Sequence, residues 1–190
     1  TVASVAQVAV ALAAGARRVL IANQVLQPVD LSALAALRRD HPGLVAPFLL
    51  DSPAQLAAID AWHTQTGSAP LDVLLELGLA GGRTGCRDAA DALALARAAR
   101  ASPAVRLVGI ECYEGLWAKG DDAADTTLVD TLMARVHALA AQAEGRRLIA
   151  SGRPPGDPAV GRAARRAEFW FDETLRLSGT LSRIIGRRAA

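Results

Sequence analysis

The chain has 190 residues, a net charge of +2 and 52% hydrophobic residues, few of them aromatic. That is long enough for one domain with a real core, and the near-neutral charge gives no case for nucleic acid or an anionic membrane as partner. Two cysteines, Cys86 and Cys112, make no disulfide framework and fit a reducing cytoplasm.

The first stretch, "TVASVAQVAVALAAGARR", is apolar and small, but it lacks a basic leader region and Gln7 interrupts it. It reads as a strand end at Thr1–Ser4 followed by an amphipathic helix. With no initiator Met, the start is read as something other than a natural N-terminus. No apolar run is long enough to span a bilayer.

"RVLIANQV" (18–25) is a short β-branched run. "DLSALAALRRDH" (30–41) opens on Asp30 as N-cap and carries leucines at helical spacing. "LVAPFLLDS" (44–52) is the next strand, and Pro53, a favoured first-turn residue, opens the next helix. "LDVLLELGL" (71–79) is apolar apart from Asp72 and Glu76, and its apolar residues fall on both faces, which predicts burial on both. A helix over Asp88–Ala101, a strand in "VRLVGIECYEG" (105–115), a long helix over 124–143 and a strand in "RLIASG" (147–152) complete the pattern.

Strand and helix alternate about every 25–30 residues, the rhythm of βα units around a parallel sheet. Each strand ends in a polar or glycine cluster: Asn23-Gln24, Asp51-Ser52, Gly81-Gly82-Arg83, Tyr113-Glu114, Ser151-Gly152. In parallel α/β folds those ends carry the chemistry. The expected fold is therefore α/β, a partial (β/α)8 barrel of about six βα units over residues 1–152. Residues 153–190 form an atypical tail rich in Arg, Pro and Gly, in which "EFWFDETLRL" alone has the pattern of a short helix.

Arg83 lies among glycines at 78, 81, 82 and 85, which let the backbone turn sharply and approach a ligand closely. A guanidinium there, always charged and fork-shaped, suits a phenolate, carboxylate or phosphate. The competing reading is an ordinary loop arginine paired with Asp88. Tyr113 at a strand end can lie flat on a planar ligand; alone, it reads better as a capping aromatic between two solvated carboxylates, Glu111 and Glu114. Ser151 and Gly152 offer a hydroxyl and backbone N–H groups of the kind that cradle phosphate, a weak signal in isolation. His41, His63 and His137 read as structural, and no His, Cys or acidic residues have metal-ligand spacing. Lys119, the single lysine, reads as a solvated loop residue. There is no nucleophile elbow, Walker loop or dinucleotide fingerprint.

Taken together and in order, "TVAS", "LAAGARRVLIANQV", "LVAPFLLDS", "VLLELGLAGGRTGCRD", "RLVGIECYEG" and "LIASG" resemble the alanine-racemase-type barrel of fold-type III pyridoxal-phosphate (PLP) enzymes. Within that class they are most similar to the D-threonine aldolase / D-serine dehydratase-like branch, the amino acid deaminases. The resemblance covers residues 1 to about 152, and its specific part is the pair "GGRTG" and "GIE-YEG". It implies that Arg83 reaches the phenolic oxygen of PLP, that Tyr113 lies against the pyridine ring, and that Ser151 and Gly152 contact the phosphate. Gln24 lines the same barrel mouth.

The resemblance also implies what lies outside this sequence. Relatives carry their Schiff-base lysine on the strand before the one ending at Thr1–Ser4, so no catalytic residue is assigned here. They also carry a C-terminal β-domain with ligands for a divalent metal, zinc or manganese, and no metal ligand is assigned here either. The expectation is a fragment, frameshifted near Gly152 and inactive alone. Its parent would be a lyase acting on a small D-amino acid, as a dehydratase or an aldolase, with a slight lean towards the dehydratase. A cytoplasmic location and a homodimer go with that reading. The alternatives are a non-catalytic PLP-binding or degenerate barrel, and an amino-acid racemase.

Overall fold

The structure, a computed structural model, describes residues 1–113, 122–142 and 149–150. Helix α1 (Val5–Ala13) follows the N-terminal segment, and α2 (Pro28–Asp40) follows the Asn23-Gln24 segment. Strand β1 (Phe48–Leu50) leads into α3 (Pro53–Thr66), β2 (Leu71–Leu77) into α4 (Ala89–Ala101), and β3 (Val105–Cys112) precedes α5 (Asp122–Gln142) and β4 (Ile149–Ala150). The strands form a parallel sheet in the order β1-β2-β3-β4. Parallel bridges Val2–Ile21, Arg18–Val45 and Ile21–Phe48 continue it towards the N-terminus. This is the successive, all-parallel βα arrangement that the alternation of apolar runs predicts.

Local chemistry sets the element ends. Ser52 caps α3 by accepting the Gln55 N–H at 3.3 Å, and Pro53 supplies the first turn. Asp88 caps α4 by accepting from Ala90 N at 2.7 Å and Asp91 N at 3.1 Å. Three expectations are corrected. Asp30 is not the N-cap of α2; Gln27 is, because Pro28 starts the helix and leaves Asp30 in its first turn, where a carboxylate still meets the helix dipole favourably. Residues 18–25 and the Thr1–Ser4 tail join the sheet through isolated bridges rather than as regular strands. In 44–52, ladder pairing is confined to 48–50; Pro47, which has no N–H, directly precedes it.

β2 is buried along its whole length, as expected, with the carboxylates Asp72 and Glu76 included. Phe48, Leu50, Leu71, Val73, Leu75 and Leu77 pack with helix residues that include Leu34, Ile59, Trp62, Leu95 and Val136 in one core. Leu49 and Leu74 are also buried, but they lie outside that cluster. Side chains alternate along a strand, so these two face the side of the sheet away from the helices, the side a barrel turns inward. At the N-terminal end of β2, Arg106 holds buried Asp72 with bonds of 2.6 and 2.9 Å, and Arg38 approaches it at 3.6 Å. That ion cluster ties α2, β2 and β3 together at the opposite end from the polar strand termini.

Candidate functional site

At the C-terminal end of β2 the chain leaves at Gly78, loops out and returns to bridge Leu77 again at Cys86. The Gly78 N–H donates to the Cys86 carbonyl at 3.0 Å, and the Cys86 N–H donates to the Glu76 carbonyl at 2.8 Å. Gly81 and Gly85 make the turn at φ +76° and +90°. The loop's carbonyls are met by two guanidinium groups. Arg87 donates to Gly82 O and Gly85 O. Arg135, from α5, donates to Gly78 O at 2.9 Å, Cys86 O at 3.4 Å and Arg87 O at 2.7 Å. A glycine-rich segment that would otherwise be loose is thereby fixed by its own backbone and two arginines.

Arg83 projects from this fixed loop. It is exposed, and one guanidinium nitrogen donates to Asn23 Oδ1 at 2.7 Å. Asn23 in turn donates through Nδ2 to Ala3 O at 3.0 Å. The expected alternative, an ion pair with Asp88, does not form; Asp88 caps α4 through Oδ1, and Arg83 bonds Asn23 instead. No described acidic side chain makes an ion pair with Arg83. Its charge rests on a neutral amide oxygen, a contact that an anion can outcompete because it adds the attraction of an opposite charge and can take the guanidinium fork through two parallel bonds.

Gln24 stands at the same end of the sheet, with its amide nitrogen donating to Asp51 Oδ2 at 2.7 Å. The Gly85 N–H donates to the same oxygen at 2.9 Å. Tyr113 follows β3 immediately, and 54% of it is open to solvent, enough for its ring to receive a ligand. Ser151, Gly152, Glu114 and Lys119 lie outside the described residues.

On the inward face, Glu76 and Glu111 are register partners on adjacent strands, and both are buried. Thr84 Oγ1 donates to Glu76 Oε1, while Glu76 Oε2 is buried with no hydrogen-bond partner among the described residues. Burial pushes the Glu76 carboxyl above its ordinary range; the Asp51 charge adds to this, and the Thr84 bond with Arg83 and Arg87 opposes it. The folded state therefore holds this proton more tightly than the unfolded chain does. Stability is expected to fall as pH rises from about 4.3, the ordinary glutamate value, through the raised value. Glu76→Gln should flatten that decline in urea unfolding from pH 4 to 8; identical slopes in both proteins would contradict it. Burial also pushes the Cys86 thiol up to about 11, so it is no nucleophile at neutral pH. Among the described residues no three His, Cys, Asp or Glu side chains gather into a metal-holding group. No described helix is long and apolar enough to cross a membrane.

The strand ends are legible in the sequence; the parts played by Asn23, Asp51, Thr84, Arg87 and Arg135 are not. Asn23 and Asp51 occupy strand-end clusters, so their positions were legible and their partners were not. Arg135 lies mid-helix, and its bonds cross 48 to 57 residues, leaving no local signal.

No family model matches the chain. A D-threonine aldolase of Arthrobacter sp. is 36% identical over 104 residues, 55% of this chain and 26% of that protein. Among solved structures, D-threonine aldolase from Filomicrobium marinum superposes with a TM-score of 0.59 at 25% identity, covering 74% of this chain and 36% of that one. D-threo-3-hydroxyaspartate dehydratase from Delftia sp. HT23 gives 0.55, with the same identity and coverage. PipY of Synechococcus elongatus PCC7942, solved with PLP bound, gives 0.51 at 20% identity, over 85% of this chain and 82% of that one, a likeness of fold. The chain thus spans about a quarter of the aldolase it matches in sequence and about a third of the first two structures.

Proposed function

Because this chain is a relative of the D-threonine aldolase-like fold-type III PLP enzymes, we propose that it forms the cofactor-holding wall of a PLP-dependent lyase acting on β-hydroxy D-amino acids. The named relatives act on D-threonine and D-threo-3-hydroxyaspartate, and both are D-amino acids with a hydroxyl on Cβ. D-Serine shares that chemistry. The observation that carries the reading is the Arg83 fork, held at a strand end on a neutral amide with no described carboxylate paired to it.

The residues present fit the cofactor. Arg83 supplies a permanent positive fork for the phenolic oxygen, Tyr113 an open aromatic face for the ring, and Ser151 with Gly152 the hydroxyl and N–H groups for the phosphate. PLP, when bound, supplies the electron sink for breaking a bond at or next to Cα. The role of this chain is to orient the ring and to keep its oxygen ionised beside Arg83. The Schiff-base lysine is proposed to belong to a strand of the parent enzyme that this sequence does not contain, and Lys119 does not substitute for it.

The test is an absorbance titration of the purified chain with PLP, followed by a D-serine-to-pyruvate assay. Saturable PLP binding without pyruvate is expected, and Lys119→Ala should change neither result. Failure to bind PLP would contradict the cofactor reading. Pyruvate formation abolished by Lys119→Ala would contradict the assignment of the lysine elsewhere.

A further inference from the structure

We propose that Asp51 is a positioning residue that sets the Arg83 fork against the cofactor, an inference that rests on the PLP reading above. A single carboxylate oxygen, Oδ2, accepts from the Gln24 amide at 2.7 Å and from the Gly85 backbone N–H at 2.9 Å. Those two donors lie at the two ends of the Arg83 contact. Gly85 is two residues beyond Arg83 in the same loop, and Gln24 is next to Asn23, on which the guanidinium rests. Asp51 therefore fixes both the loop that carries the fork and the segment that carries its resting acceptor.

Asp51 is itself held. Its N–H donates to Gln55 Oε1 at 3.2 Å, and Gln55 is almost fully buried and donates through Nε2 to Leu49 O at 2.7 Å. The Cys86 thiol donates to the Asp51 carbonyl at 3.3 Å. The carboxylate is thus anchored to the end of β1 and reaches across to β2's loop on one side and to the Asn23-Gln24 segment on the other. Gly85, at φ +90°, meets the acceptor for its N–H outside its own loop, on Asp51. Two hydrogen bonds to one carboxylate oxygen restrain the loop and the Asn23-Gln24 segment at once, whereas a residue without acceptors would restrain neither.

The experiment compares the full chain with its Asp51→Ala and Asp51→Asn variants by PLP titration and by hydrogen exchange at the Gly85 amide. Asparagine keeps an acceptor for Gly85 and can still meet the Gln24 amide; alanine can do neither. Asp51→Ala is expected to weaken PLP binding by about tenfold and to speed Gly85 exchange, while Asp51→Asn stays within about threefold of the parent. Equal PLP affinity in Asp51→Ala, or Asp51→Asn failing as badly as alanine, would overturn the proposal. If Asp51→Ala does not fold, Asp51→Asn decides: retained PLP affinity with a protected Gly85 amide supports the proposal, and loss of either overturns it. The two readouts separate this inference from its premise. A parent chain that binds no PLP overturns the cofactor reading and with it the positioning role. Unchanged Gly85 exchange in Asp51→Ala overturns the restraint itself, whatever the PLP result.

Discussion

Gly85→Ala is expected to destabilise the protein by about 3 kcal/mol or more and to abolish saturable PLP binding. At φ +90° an L-side chain is strained whatever space surrounds it, and here there is none. A Cβ on Gly85 would lie 2.3 Å from Gly78 N and 2.7 Å from Gly78 Cα. A Cβ on Gly78 would likewise lie 2.1 Å from Thr84 O. The outgoing and returning strands of the loop touch backbone to backbone at this pair, so neither can give way without opening the Gly78–Cys86 and Cys86–Glu76 bonds. Gly67, at φ +61° with open space around it, isolates strain from collision. Gly67→Ala is expected to cost about 1 kcal/mol, with PLP binding intact. Urea unfolding of the two variants reads the difference, and equal losses would contradict the close-contact account.

Arg83→Ala is expected to weaken PLP binding by about 10- to 100-fold, the range of a hydrogen bond to a charged group, with little change in stability. Arg83 is exposed, and its one described side-chain bond, to Asn23, is between an ion and a neutral amide at the surface, so the core does not depend on it. Arg83→Lys keeps the charge but replaces the planar fork by a point charge on a flexible stem, and an intermediate affinity follows. If both variants bound PLP as the parent does, the fork would not be a cofactor contact. If Arg83→Ala unfolded the chain, the loop would depend on it structurally, which the pattern of Arg87 and Arg135 bonds argues against.

The parts of this architecture that were legible in the sequence are those set by local physics. β2 announced its burial because every position from 71 to 77 must avoid water or find a partner. Ser52-Pro53 and Asp88 marked helix starts through capping chemistry that acts within three residues. The α2 start departs from the pattern because Asp30, a good capping residue, stands two places after Pro28, and proline's fixed φ takes the helix start ahead of it. The glycines around Arg83 showed that the backbone turns and packs closely there, but not what holds it. Asp51, Asn23 and Arg135 reach that loop from 34 to 60 residues away. Such contacts follow from the order of strands in the sheet rather than from any spacing along the chain. The absent Arg83–Asp88 pairing is of the same kind: the carboxylate close in sequence caps α4, and Arg83 bonds Asn23 instead.

The most direct measurement is a crystal structure of the chain grown with PLP. The account predicts the cofactor at the C-terminal end of the sheet, its phenolic oxygen within hydrogen-bond reach of the Arg83 guanidinium and its ring against Tyr113. In that structure Arg83 would have left Asn23 Oδ1, while Gly85 N and Gln24 Nε2 stayed on Asp51. PLP bound elsewhere, or bound with Arg83 still on Asn23, would contradict it.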